Sequence, residues 1–329
     1  MKLVTDSTAI AELKAHRHAA ILEMPPHFRA PVPGFEQGRR YVPDRPVDVQ
    51  GVSSFENQPV RIRLSPPGSA TPVFSWNEAS WELKSENLKL GEHNIQLGDI
   101  KIIEHPIALM SALNVDFDIS MDQSSFPTFE RCDLPYLHAL QDNLRDAGQW
   151  PWVTVNKAFA LTFEEGYVIL EPERERPYLT VDHQIRYPGS AIGTQRLVTE
   201  ITAERFAFFG QARTPSFRSR EETLQILEMA KAGLIKDFPV SPENIFFVDP
   251  EHIHNPRPEF EHNGHNYEFM LHELIDITSW LKLVDLRFRA KFVARMTSFL
   301  FGHGPQIEAA RFLCLDPEFE PIGMSKVLF

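Results

Sequence analysis

The segment EFMLHELIDITSWLKLV, residues 268–284, is an apolar run with an imidazole and a carboxylate set into its middle. Helical spacing places His272 and Asp276, four residues apart, on one face. A segment this apolar belongs in a core, and a carboxylate in a core is costly unless something compensates it. A shared proton, a capped pocket or a metal ion gripped by both side chains would each do so. Spacing by itself favours the commonest of these, a buried pair on a packed helix.

The chain has 329 residues, 43% hydrophobic and 24% charged, which is ample for sizeable cores and more than one average domain. A formal charge of −12 argues against nucleic acid or an anionic membrane surface as the partner. The two cysteines, Cys132 and Cys314, give neither a disulfide framework nor a cysteine-type zinc site. The start, MKLVTDSTAIAELK, lacks an apolar stretch of signal-peptide length, and no run approaches the length of a membrane span. A reduced, cytoplasmic protein without a transmembrane segment is expected.

Strand-like and helix-like runs alternate in two cycles. Residues 1–45 form a packed arm, with helical spacing in AIAELKAHRHAAILE and a proline-broken connector, MPPHFRAPVPG. From residue 46, PVRIRLSP, PVFSWN, HNIQLGD and IKIIEH read as short strands. PIALMSAL follows as a helix, VDFDISMD as a strand, and LPYLHALQDNLRDAG as a second helix closed by Gly148. Near residue 150 the cycle restarts, with strands WVTVNKAFALTF, GYVILEPE and YLTVDHQIRY. Helices are expected in TAERFAFFGQ, REETLQILEMAKAG, the 268–284 run and FLFGHGPQIEAARFLCL, with NIFFVD a strand among them. The fold class is α+β: two similar domains, residues 46–149 and 150–329, each a β-sheet packed against helices.

Further segments carry chemistry-bearing residues. Glu104 and His105 adjoin where an apolar strand gives way to a helix, a place where sites are built. His303 lies between Gly302 and Gly304, which permit close approach, and Thr214 follows Arg213 and precedes Pro215. A rival cluster, EHIHNPRPEFEHNGHNY, gathers His252, His254, His262 and His265 in a polar loop. With Pro, Gly and Asn breaking any helical register there, a solvated hairpin is expected rather than a metal cage.

The order of these features, Glu-His, Arg-Thr, His-x-x-x-Asp and Gly-His, resembles the LpxC family, the UDP-3-O-acyl-N-acetylglucosamine deacetylases of lipid A synthesis. IIEHPIALMSAL, LTVDHQIRYPGSAIGTQRL, ARTPSF and EFMLHELIDI are similar to its motifs, and SFPTFERCDLPYL keeps the outline of a further loop. The resemblance implies two duplicated α+β domains with one catalytic Zn2+ between them, Fe2+ being an alternative ion. It makes His105, His272 and Asp276 the metal ligands, with a coordination position left for water. Glu104 would be the general base, Thr214 an oxyanion partner and His303 the general acid. The implied substrate is a small N-acylated molecule, an acylated amino sugar being one candidate.

Departures from the family's pattern sit on the recognition side. Glu273 replaces a Lys, Trp280 the Asp that orients the general acid, and Leu300 a basic phosphate contact. Glu130-Arg131-Cys132 stands where Asp-Gly-Ser is usual, and GVSSFEN lacks the loop's His. Two readings therefore follow: a metal-dependent deacetylase with altered UDP recognition, or a non-catalytic paralogue that keeps the metal for ligand binding or regulation.

Overall fold

The computed structural model describes residues 1–15, 19–235 and 238–329. Its eight α-helices among these residues are α1 (Ser7–Ala15), α2 (Glu104–Ala112), α3 (Leu134–Gln141), α4 (Ala203–Phe209), α5 (Arg220–Lys231), α6 (Glu268–Ser279), α7 (Leu281–Phe288) and α8 (His303–Leu315). The fold is α+β, with several sheets packed against these helices.

Two main sheets carry the architecture. The first has five strands in the order Val47–Val52, Pro59–Ser65, Asp118–Met121, Val73–Trp76, Ala79–Glu82. The alternation in PVRIRLS is realised as a half-buried strand: Val60, Ile62 and Leu64 point inward, and Arg61 and Arg63 point out to Asp48. The second sheet has seven strands, ordered Lys2–Val4, Phe159–Thr162, Tyr167–Pro172, Ala294–Phe299, Leu179–Tyr187, Gly193–Ile201, Ile21–Glu23. The N-terminal segment therefore supplies both edges of the second sheet, and its strand Arg39–Pro43 pairs with Leu144–Gln149.

Helices α2 and α6, contributed by the two halves of the chain, pack on each other, and α3, α4 and α7 close around α2. Every residue of α6 except Glu273 is buried, as are Glu104 to Ser111 of α2. Helices apolar on nearly all sides belong at the centre of a protein, and that is where these two lie. One hydrophobic cluster runs continuously from the first sheet through this helical layer to the second.

Several sequence expectations are corrected. LPYLHALQDNLRDAG is helical only to Gln141; Leu144–Gln149 is a strand, because Arg39–Pro43 offers its backbone a partner that helix propensity ignores. Gly148 sits at φ +97° where that ladder shifts register, so it serves a bulge rather than a helix cap. The 268–284 run is two helices that meet at Trp280. WVTVNKAFALTF divides into Trp152–Val155 and Phe159–Thr162, which join different sheets. In AIAELKAHRHAAILE, α1 ends at Ala15 and Ile21–Glu23 is a strand; residues 16–18 lie outside the described ones.

Helix α7 is fixed by charges inside the core. Lys282 Nζ lies 2.5 Å from Asp116 Oδ1, both side chains being fully buried, and Arg40 also contacts Asp116. Burial would raise the Asp116 carboxyl, but Lys282 and Arg40 outweigh it and hold the group below its ordinary value. Removing one partner from such a pair strands the other charge. Lys282→Ala should therefore lose about 3–5 kcal/mol of unfolding free energy, measurable by urea denaturation; a loss within error would show that Arg40 alone suffices.

Candidate metal centre

The meeting of α2 and α6 builds the site. Glu104 and His105 open α2, which begins two residues after Ile102, whose φ of +63° is costly for a β-branched residue. That kink turns the chain from the strand Ile100–Lys101 into the helix. Opposite, α6 presents His272, whose ring meets that of His105 edge to face with centroids 5.4 Å apart. The third participant is Cys132, on the turn before α3, with Sγ 3.2 Å from His105 Nδ1. Donor atoms of His105, His272 and Cys132 lie within 4.8 Å of one another, the one group of three metal-capable side chains found among the described residues.

Asp276 is buried on the same face of α6 as His272 but outside that tight group. Its Oδ2 lies 3.9 Å from His303 Nε2, and its Oδ1 has no hydrogen-bond partner. His303 opens α8, its Nδ1 3.5 Å from Gln306 Oε1. Its side chain is 18% exposed, so the buried cluster meets solvent on the His303 side. Leu300, three residues earlier, has φ +47°, a second left-handed turn into a helix that carries a site residue. Thr214 is half-buried and starts the strand Thr214–Phe217, which packs against α6.

Arg213 explains why Thr214 is held there. Its guanidinium is buried and paired in two places with Glu268 of α6, Nε to Oε1 at 2.6 Å and Nη2 to Oε2 at 2.8 Å. The remaining nitrogen donors reach the carbonyls of Pro242 and Asn255, both at 2.7 Å. A bidentate, fully satisfied pair of this kind fixes geometry as well as charge. Glu268 has no motif of its own, and a helix-start Glu reads as an ordinary acidic first turn.

The electrostatics follow from burial. Glu104 is raised from an ordinary 4.5 to about 7, chiefly by burial, with His303 pulling it down and Asp276 pushing it up. Its Oε2 accepts the Ile95 N–H at 2.9 Å. Burial likewise depresses His272 to about 4 and holds His105 well below its usual value, so both imidazoles are neutral. His272 Nδ1, 3.3 Å from the Ala212 carbonyl, donates to it and leaves Nε2 with its lone pair for a ligand. Asp276 is raised well above the carboxylate range by burial and then by Glu273. Neutral imidazoles, a thiol and an unpartnered buried carboxylate oxygen form a donor set that a divalent transition-metal ion fits, with charge to offset the carboxyls.

The rival histidine loop is used otherwise. His254 Nε2 pairs with Asp249 Oδ2 at 2.8 Å, and Asp249 also accepts the backbone N–H groups of Glu251 and His252. His262 and His265 stand opposite each other in a short hairpin.

A sequence model described as "LpxC: UDP-3-O-acyl N-acetylglycosamine deacetylase" matches residues 43–313. The chain belongs to the LpxC family. A curated relative, the UDP-3-O-acyl-N-acetylglucosamine deacetylase of Nautilia profundicola, is 19% identical over 293 residues, 86% of this chain and 94% of the relative. LpxC proteins are deacetylases and metalloenzymes, and two similar α+β domains are their fold. Among the described residues, no helix is long and apolar enough to cross a membrane.

A titration tests the Glu104 environment. Because its folded pKa is raised, its contribution to stability is full below about 4.5 and is lost as pH rises through about 7. His105 and His272, whose folded values are depressed, gain stability as pH rises; against that, Glu104 should contribute to the metal-free protein a downward slope between pH 5 and 8, on the order of 2–3 kcal/mol in all. Glu104→Gln, which can still accept from Ile95, should flatten that slope in calorimetry at a series of pH values; an unchanged slope would place the carboxyl in a wetter setting.

Proposed function

We propose that the chain is a metal-dependent deacetylase that hydrolyses the amide of a small N-acylated substrate, of the acylated amino sugar class, with UDP recognition altered. The observation that supports it best is the convergence, at one buried helix contact, of two neutral imidazoles, a carboxyl poised near neutrality and a partly exposed histidine beside a carboxylate. A merely structural metal would need neither Glu104 nor His303.

His105 and His272 are the proposed anchors of the ion, with Asp276 on the same face completing the family pattern. Bound there, Zn2+ or Fe2+ would supply Lewis acidity, lowering the pKa of a water and polarising an amide carbonyl. Glu104, next to His105 at the start of α2, takes the proton of the attacking water. Thr214 would steady the oxyanion with its hydroxyl. His303, open to solvent and beside Asp276, returns a proton to the departing nitrogen as the carbon–nitrogen bond breaks. The products are a carboxylate and an amine, and one water is consumed.

The non-catalytic reading has one observation in its favour. Trp280, in the place of the family's orienting Asp, is buried against Phe301 with ring centroids 5.8 Å apart, and its indole N–H has no hydrogen-bond partner, so it does not hold the His303 ring. Turnover separates the two readings. At equal metal content, Glu104→Gln should lower kcat by roughly a hundredfold to ten-thousandfold on an N-acetylated sugar panel that includes UDP-linked and free compounds. Failure of the wild-type chain on every amide offered would favour the binding paralogue.

The altered recognition can be tested alone. Glu273 lies 3.6 Å from His183 Nε2, and Leu300 is half-buried, so neither position offers a cation to a diphosphate. Calorimetric titration with UDP should detect no micromolar binding; a tight, saturable signal would instead support the usual UDP-linked substrate.

A further inference from the structure

Glu273 is the one residue of α6 that is not buried, and the proposed hydrolysis makes no use of it. Phe269, Glu273 and Asp276 follow at helical spacing, so its carboxyl shares a stripe of α6 with a proposed metal ligand. The side chain is 14% exposed, and Oε2 faces His183 Nε2 at 3.6 Å. Among the described residues it makes no hydrogen bond, and no Lys or Arg pairs with it.

The fold nevertheless holds this carboxylate in place. His183 is fully buried on the strand Leu179–Tyr187, its Nδ1 2.9 Å from Ser298 Oγ. A serine hydroxyl donating to Nδ1 leaves the ring hydrogen on Nε2, which is aimed at Glu273. An aromatic wall stands alongside. Tyr187, at the end of the same strand, stacks on Phe217 with centroids 5.2 Å apart and ring planes 7° from parallel. Phe269 meets both rings edge to face, at 5.2 Å and 5.1 Å. Phe217 is 39% exposed, an unusual amount for a ring in such a cluster. Burial, then Glu273 and Asp276, push the Tyr187 hydroxyl well above its usual value, so both carboxyls bear on the space beside this ring.

We propose that Glu273, Tyr187 and Phe217 form a cation subsite, and that the N-acylated substrate carries a second, free ammonium group that this subsite takes. The inference rests on the deacetylase reading above and narrows its substrate class. A carboxylate without a cationic partner attracts an ammonium by charge, and ring faces attract it through their quadrupole. The same carboxylate repels a phosphate or carboxylate on a competing substrate. A compound with two amines, one of them acylated, has the required form, whether it is an amino sugar or a simple diamine.

Three acetamides of matched length separate charge from shape: N-acetyl-1,4-diaminobutane, N-pentylacetamide and 5-acetamidopentanoate. Their dissociation constants are to be measured by ligand-observed NMR on the zinc-loaded Glu104→Gln protein, so that turnover does not consume them. The cationic compound should bind about tenfold more tightly than the neutral one, and the anionic compound most weakly. Glu273→Gln in the same background should bring the cationic and neutral compounds to within about twofold. Equal affinity for all three, or no binding of any, would overturn the subsite and leave the hydrolysis of neutral amides to be judged by itself. The ranked affinities without turnover of the cationic acetamide by the wild-type chain would uphold the subsite and count against the deacetylase reading. The series of three decides the matter even if Glu273→Gln does not fold.

Discussion

The contact between α2 and α6 carries a requirement that shapes everything around it. Each helix is short and nearly all buried, yet between them they place Glu104, His105, His272 and Asp276 in the interior. An interior cannot hold four separate charges, so the groups become neutral, pair with one another or share a cation. The depressed imidazoles and raised carboxyls are the first of these answers. A divalent ion would supply the last.

Such a site must be held by something stiffer than itself. Arg213 and Glu268 clamp the start of α6 to the strand that carries Thr214. Lys282 and Asp116 tie α7 to the segment following α2. Both pairs are buried, and both join sequence-distant elements that border the site. Salt bridges in a core add little net stability compared with apolar packing, but their fixed geometry specifies how elements meet. The left-handed residues Ile102 and Leu300 add local strain that the packed core has to sustain.

Family membership and departure from the family pattern then have a common physical description. The family model spans residues 43–313 in a chain only 19% identical to its curated relative. The departures noted in the sequence are at Glu273, Trp280, Leu300 and the Cys132 turn. Each has an observed neighbour here. Glu273 faces His183, Trp280 packs on Phe301, and Cys132 reaches His105.

The sequence by itself determined the α+β class, most strands and helices, and the family. Alternation in PVRIRLS and the apolar run around His272 are local signals, and local signals survive in a single chain. Motif order also grouped Glu104, His105 and His272, and the fold brings the two histidine rings together. Only the tertiary structure decided that Leu144–Gln149 is a strand, since its partner lies about a hundred residues earlier in the chain. Only the tertiary structure brought Cys132 to the histidines and Asp276 to His303. A lone cysteine has no spacing rule to announce it when the other donors come from two different helices. Directions of side chains at such a junction depend on how the helices dock, and docking is set by the whole core rather than by any one segment.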